Sequence, residues 1–283
     1  MSKRTDLALE AKALYEQSAE QTTQLSGVIA RERMQDGIRL THIEITDHRG
    51  QKALGKPKGH YIPLELASRE PDASLRQRAS RLMGEMLGSL LKLGQEDTVL
   101  VVGLGNRDIP PDAIGPDTVD GVFLTRHLLQ TFPREFGAFR RVCAVAPGVL
   151  ADTGFESQEL VAAAVQRARP DKVLVVDALA SCEAQRVCTT IQLTDTGIVP
   201  GSGVGNARPA FNERTLGVPV VAVGVPTVMD LSACTDTVRD NGLMVTPRSI
   251  DRQAKALAQL LSDGINRALF SPDAYRAIDS LRL

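Results

Sequence analysis

The hydrophobic pattern changes period several times along the chain, and those changes delimit its elements. Residues 5–35 carry Leu7, Leu9, Leu14, Leu25, Val28 and Ile29 at roughly helical spacing, which predicts a helix. From Ile38 the period becomes two and runs to Asp47-His48-Arg49-Gly50. A second extended run, His60 to Leu66, follows the turn Gly55-Lys-Pro-Lys-Gly59. Residues 37–67 are therefore expected to form a small antiparallel elaboration. Beyond residue 73 helix and strand alternate. Helices are predicted over 74–93, 117–132, 156–168 and 250–269, and strands over 98–102, 141–146, 171–177 and 218–223.

These strands are short, β-branched and apolar on both sides, which is the composition of strands buried in a parallel sheet. The expected fold is α/β, a mostly parallel sheet with helices on both faces, preceded by an N-terminal helix. There is no internal repeat and no low-complexity linker, so residues 1–283 read as one α/β domain.

Composition narrows the function classes. The formal net charge of −1 gives no global attraction to nucleic acid or to an anionic membrane. No apolar run approaches the roughly 20 residues that cross a bilayer, and the charged N-terminal stretch lacks the features of a secretory signal. A cytoplasmic location is expected. The four cysteines, Cys143, Cys182, Cys188 and Cys234, show no C-x-x-C spacing and are expected to be reduced thiols.

In an open parallel sheet ligands sit beyond the carboxyl ends of the strands, which selects the loops 103–116, 147–155, 177–190 and 224–230. Gly103-Leu-Gly-Asn-Arg-Asp108 lacks the third glycine of a dinucleotide fingerprint, and no Walker A sequence occurs. Its glycines predict a tight turn. Asp112 stands between Pro110-Pro111 and Ala113-Ile-Gly-Pro116, on a segment stiffened by prolines. Asp177 leaves the apolar strand Val173-Leu-Val-Val176, where burial raises a carboxyl pKa. Two carboxylates sharing a site resist joint ionisation, so one keeps a proton while the other serves as base. That suits activation of water and protonation of a leaving amide; the same pair also suits a hard divalent cation. Asp-Thr-Gly occurs at 152–154 and at 195–197, but Phe155 and Ile198 follow where a pepsin-like site has Ser or Thr. Both tripeptides are expected to be turns.

The motifs as a set resemble the germination proteases of spore-forming bacteria, almost from end to end. They are Arg4-Thr-Asp-Leu-Ala8, Gly50-Gln-Lys-Ala-Leu-Gly-Lys-Pro57, Val102-Gly-Leu-Gly-Asn-Arg-Asp108 with Pro111-Asp-Ala-Ile-Gly-Pro116, and Ala146-Pro-Gly-Val149. Further on come Val176-Asp-Ala-Leu-Ala-Ser181, Thr189-Thr-Ile-Gln192 with Asp195-Thr-Gly-Ile198, Pro200-Gly-Ser-Gly-Val-Gly-Asn206, and Gly224-Val-Pro-Thr227.

The resemblance implies an atypical aspartic endopeptidase with a fold similar to hydrogenase maturation proteases. It puts Asp112 and Asp177 at the family's two essential aspartates, with no metal and no cofactor. The implied substrates are small acid-soluble spore proteins, cut during germination, in the developing forespore and spore core. It also implies a homotetramer and a zymogen that removes its own N-terminal segment. Family cleavage follows an acidic residue, so residues 1–6 are the expected propeptide, released by a cut between Asp6 and Leu7. This leader is very short, and the chain is shorter than better-known members.

An acidic residue before the cut calls for a cationic subsite, for which Arg107, Arg186 and Arg208 are candidates by position, with Asp108 beside them as a further substrate-binding candidate. Backbone amides of Gly103–Asn106 or Gly201–Asn206 are candidate oxyanion donors. Two alternatives stand against this reading. One is a metal-dependent maturation-type protease, against which Gly224-Val-Pro-Thr-Val-Met-Asp230 offers no His. The other is a scaffold whose acidic cleft binds a peptide without cutting it.

Overall fold

The computed structural model describes residues 5–18, 25–231 and 243–280. The described chain begins with α1 (Ala8–Ser18), β1 (Val28–Gln35), β2 (Ile38–Ile45), α2 (His48–Leu54), β3 (Gly59–Glu65) and α3 (Ala73–Leu91). The central part holds β4 (Thr98–Gly103), α4 (Ile114–Asp120), α5 (Arg126–Thr131), α6 (Pro133–Phe136), β5 (Arg141–Val145), α7 (Leu150–Thr153), α8 (Ser157–Ala168) and β6 (Lys172–Ser181). It closes with β7 (Thr190–Thr194), α9 (Glu213–Leu216), β8 (Val220–Asp230), β9 (Met244–Val245), α10 (Ile250–Leu269) and α11 (Pro272–Ser280).

Among the described residues these strands form one sheet in the order β1-β2-β3-β7-β8-β6-β4-β5, with β9 on β8. The pairs β4–β5, β4–β6 and β6–β8 are parallel. All other pairs are antiparallel. The fold is thus α/β with a mixed sheet, and the expectation of a mostly parallel one is corrected: the apolar runs identify the four parallel strands, while the antiparallel half is assembled by long-range pairing. Strand β7 belongs to that half, joining β3 to β8.

Two local corrections follow from turn chemistry. The expected helix over 5–35 is realised only as α1, and residues 28–35 are β1. Asp36 (φ 54°) and Gly37 (φ 78°) both adopt the left-handed region that a two-residue hairpin requires. They fold β1 back on β2, and because β1 is an exposed edge strand, its apolar positions do not alternate cleanly. The expected helix over 117–132 is divided into α4 and α5, with Gly121 ending α4. A Cβ at Gly121 would stand 2.4 Å from Ser262 Oγ, so this glycine also admits α10.

Alternation along the parallel strands builds two cores, as side chains of successive residues leave opposite faces. Val99 and Val101 of β4, Leu174 and Val176 of β6, and Val221 and Val223 of β8 pack with Leu82 and Leu87 of α3 and Leu257 and Leu261 of α10. Leu100, Val102, Val173 and Val175 pack with Val161 and Val165 of α8 on the other face. A third cluster joins Ala8 of α1 to Ile43, Ile45, Leu54 and Tyr61. Helices cover both faces, as the apolar runs predict. Among the described residues, no helix is long and apolar enough to cross a membrane.

Candidate active site

Strand β4 stops at Gly103, whereas its neighbour β6 continues to Ser181 and β8 to Asp230. Asp177 therefore lies within β6, one residue beyond the last β4 pairing (Gly103↔Val176), rather than at the strand end expected from the apolar run. By alternation it shares the face of Val173 and Val175. Across the β6–β8 pair it stands opposite Gly224.

The loop after β4 brings Asp112 to the same place. Asp112 ends a 3-10 turn, Pro110–Asp112, directly before α4. It caps no helix; its Oδ2 accepts from Asn106 N–H at 2.8 Å. The loop closes on it because Gly105 holds φ 118°, and a Cβ there would stand 2.0 Å from Asp112 O. Gly115 is equally constrained, since a Cβ would stand 2.2 Å from Leu104 O. The glycines thus make the tight turn that the sequence predicts, and the turn positions Asp112.

Asp112 and Asp177 line one cleft of about 410 Å³. Asp177 is only 5% exposed. Burial first, and then the charges of Asp112 and Asp6, lift it well above the usual carboxylate range, against one hydrogen bond from Ala178 N–H. Burial likewise raises Asp112, opposed by the Asn106 N–H. Removing two carboxylates from water favours the state with a single shared negative charge.

The other predicted residues are distributed unevenly. Arg208 lines the cleft and pairs with Glu156 at 3.2 Å. Arg107 is turned outward to Asp120 at 2.8 Å. Asp108 is exposed in the turn, its N–H donating to Asn106 Oδ1. Arg186 lies away from the cleft lining among three carboxylates: Glu65, Glu183 at 3.0 Å and Glu10 at 3.5 Å. Of the candidate oxyanion donors, Asn106 N–H is committed to Asp112, while Val204, Gly205 and Asn206 N–H bond within their own turn. The Asp-Thr-Gly at 195–197 is a turn, as expected, whereas Asp152 and Thr153 end α7 and Gly154 is its left-handed cap, a correction of the expected turn; Gly154 and Gly197 both have positive φ.

Asp6 also lines the cleft. Three further groups carry no local sequence signal: Thr227 in the cleft lining, and Gln192 and Ser202, which lie outside that lining and touch Asp6. Gln192, 6% exposed, bonds to the backbone of Asp6 and Ala8. Ser202 donates to Asp6 at 2.6 Å. The Thr227 hydroxyl is buried on the cleft wall without a hydrogen-bond partner among the described residues. The contacts of Gln192 and Ser202 are with a segment almost 200 residues away in sequence, which no spacing rule reveals. Among the described residues, no three His, Cys, Asp or Glu side chains are grouped to hold a metal ion. Cys143, Cys182 and Cys188 form no disulfide among the described residues, and Cys234 lies outside them.

Comparison with known proteins agrees with the motifs. The family model described as germination protease matches residues 8–241. The germination protease of Caldanaerobacter subterraneus subsp. tengcongensis is 40% identical, the alignment covering 94% of each chain. That of Clostridium tetani is 38% identical over 95% of this chain and 96% of its own. That of Geobacillus sp. (strain WCH70) is 42% identical over 84% of this chain and 66% of its own. Among solved structures, the NiFe hydrogenase maturation protease HycI from Thermococcus kodakarensis KOD1 matches 64% of this chain and 98% of its own, at 17% identity and a TM-score of 0.38. That likeness is too slight to decide anything about the fold. The sequence matches decide the family: the chain belongs to the germination proteases, and is a peptidase.

Proposed function

We propose that the chain is an endopeptidase that cuts small acid-soluble spore proteins during germination, with Asp112 and Asp177 as its catalytic pair. The reading rests on one observation above all: two carboxylates, Asp177 within β6 and Asp112 in the loop after the adjacent β4, line one cleft, where burial raises both and the charge of Asp112 raises Asp177 further. Two carboxylates sharing one site resist joint ionisation, so one keeps a proton while the other serves as base. The ionised carboxylate takes a proton from water as the water oxygen bonds to the scissile carbonyl carbon. The protonated partner gives its proton to the amide nitrogen as the C–N bond breaks. One proton enters the pair and one leaves it, so the pair again carries one proton and the products are an acid and an amine.

Self-cleavage between Asp6 and Leu7 belongs to the same reading. Asp6 occupies the cleft, and Leu7 beside it is fully buried. The chain thus presents its own acidic-apolar bond to its own carboxylates.

The test is digestion of a small acid-soluble spore protein in chelator by the wild type, Asp112→Asn and Asp177→Asn, with fragments identified by mass. The expected result is cutting after acidic residues by the wild type, and a loss of about 10³-fold or more in each variant. Cutting that stops in chelator and returns with added metal would make the same carboxylates metal ligands instead.

A further inference from the structure

Where β4 ends, β6 is left with an unpaired edge. Backbone groups of alternate residues face that side: Val176 O accepts from Leu104 N–H at 2.8 Å, and beyond it Ala180 and Cys182 have no β4 residue to pair with. The N-terminal segment fills this edge. Ala180 O accepts from Asp6 N–H at 3.0 Å, and Ala180 N–H donates to Asp6 Oδ2 at 2.9 Å. Four residues on, Glu10 is fully buried and accepts from Cys182 N–H at 2.8 Å. One main-chain bond and two side-chain carboxylates thus hold the N-terminal segment to this edge, the chain entering α1 at Ala8.

The pocket around the Asp6 side chain is specific in shape and charge. Its second oxygen, Oδ1, accepts from Ser202 Oγ at 2.6 Å. The floor is Gly203, where a Cβ would stand 2.2 Å from Asp6 Oδ2. Both carboxylate oxygens thus meet donors; an amide would keep Ala180 N–H on its oxygen and turn its NH₂ to the Ser202 hydroxyl, which also accepts, so the preference for a carboxylate rests on the greater strength of hydrogen bonds to a charged acceptor. Lys56 adds charge nearby: burial lowers its pKa, and the facing carboxylates of Asp6 and Glu10 oppose that.

Gln192 spans the bond that follows. Its Nε2 donates to the Asp6 carbonyl at 3.2 Å, and its Oε1 accepts from Ala8 N–H at 2.8 Å. A carbonyl and an N–H as partners fix the orientation of the amide. Both partners come from the N-terminal segment, so this buried side chain is satisfied only when a peptide lies along the cleft.

We propose that Ser202, Ala180 N–H and Gly203 form the subsite for the acidic residue before the cut, and that Gln192 is a catalytic residue holding the scissile carbonyl. The proposal rests on the Asp112–Asp177 reading above. Residues 5–8 then mark the path of any substrate, and the Gln192 Nε2–H bond strengthens as the carbonyl oxygen gains charge in the transition state.

The test compares two peptides carrying the sequence of residues 5–10, one with Asp and one with Asn before the Leu, by kcat/KM with the full chain. The wild type should prefer Asp by about 10-fold or more, the value of charge-assisted hydrogen bonds. In Ser202→Ala that preference should shrink, chiefly through loss on the Asp peptide, whereas Gly203→Ala should lower cutting of both peptides, since Asp and Asn have the same shape. Ser202 is exposed, so its alanine variant keeps the fold. Gln192→Ala should lower kcat about 100-fold for both peptides with KM little changed. An unchanged preference in Ser202→Ala together with undiminished cutting by Gly203→Ala overturns the subsite, and unchanged kcat in Gln192→Ala overturns the carbonyl role. Asp177→Asn separates the two readings: if it still cuts while Ser202 governs preference, the carboxylate pair fails and the subsite stands. If it is inactive while preference ignores Ser202 and cutting ignores Gly203, the subsite alone fails. A wild type that cuts neither peptide contradicts both.

Discussion

Asp177 bears the largest electrostatic burden among the residues of the cleft. A carboxylate at 5% exposure, beside Asp112 and Asp6, is destabilised when charged. Its folded pKa lies above its unfolded value. Its favourable contribution to stability is therefore complete below the unfolded pKa, near 4, and is lost as pH rises through the folded pKa. Asp177→Asn should accordingly be inactive yet more stable than the wild type at pH 7, by about 1–2 kcal/mol. Thermal melts should show that advantage shrinking toward pH 4. A wild type that melts at or above the variant at pH 7 would mean that the carboxylate is better solvated than its burial implies.

At the scale of elements, the decisive feature is the unequal length of neighbouring strands. Because β4 ends six residues after it begins, while β6 runs for ten, the sheet exposes a working edge beside Asp177. The turn after β4 then returns Asp112 to that edge through Gly105. Gly105→Ala would place a Cβ in a positive-φ conformation and against the Asp112 carbonyl. The expected outcome is a kcat lower by about 100-fold from misplacement of Asp112, with substrate KM changed far less. Normal kcat would show that the loop accommodates the methyl without moving the carboxylate.

The same scale shows what the sequence makes legible. Thr98–Val102 and Val173–Val176 are apolar on both sides because helices cover both faces, so those strands can be read directly. Helix α10 is read to the residue, 250–269. Strand β1 is misread because its outward positions are exposed on an edge and obey no period, although Asp36-Gly37 is a hairpin signal. Asp112 and Asp177 are legible because prolines and an apolar strand frame them. Gln192 and Ser202 are not, since each acquires meaning only from contact with residues 6–8. The motifs Thr189–Gln192 and Pro200–Asn206 include them without revealing which member touches the peptide. Arg107 and Arg186 illustrate the converse: positive charge in the right loops, already held by carboxylates off the cleft.

At the scale of the whole molecule, the mixed sheet brings together the residues that the proposed reading uses. Strand β6 supplies Asp177, the turn after β4 supplies Asp112, and the antiparallel half supplies Gln192 from β7. Helix α1 closes the arrangement, with Glu10 fastened to Cys182 and Arg186 while Asp6 reaches the cleft. The most direct check of the central claim is the intact mass of the purified wild type and of Asp177→Asn, both kept in chelator. The account predicts that the wild type loses residues 1–6 and the variant retains them. Loss of the same residues by Asp177→Asn, or a wild-type cut at a different bond, would contradict it.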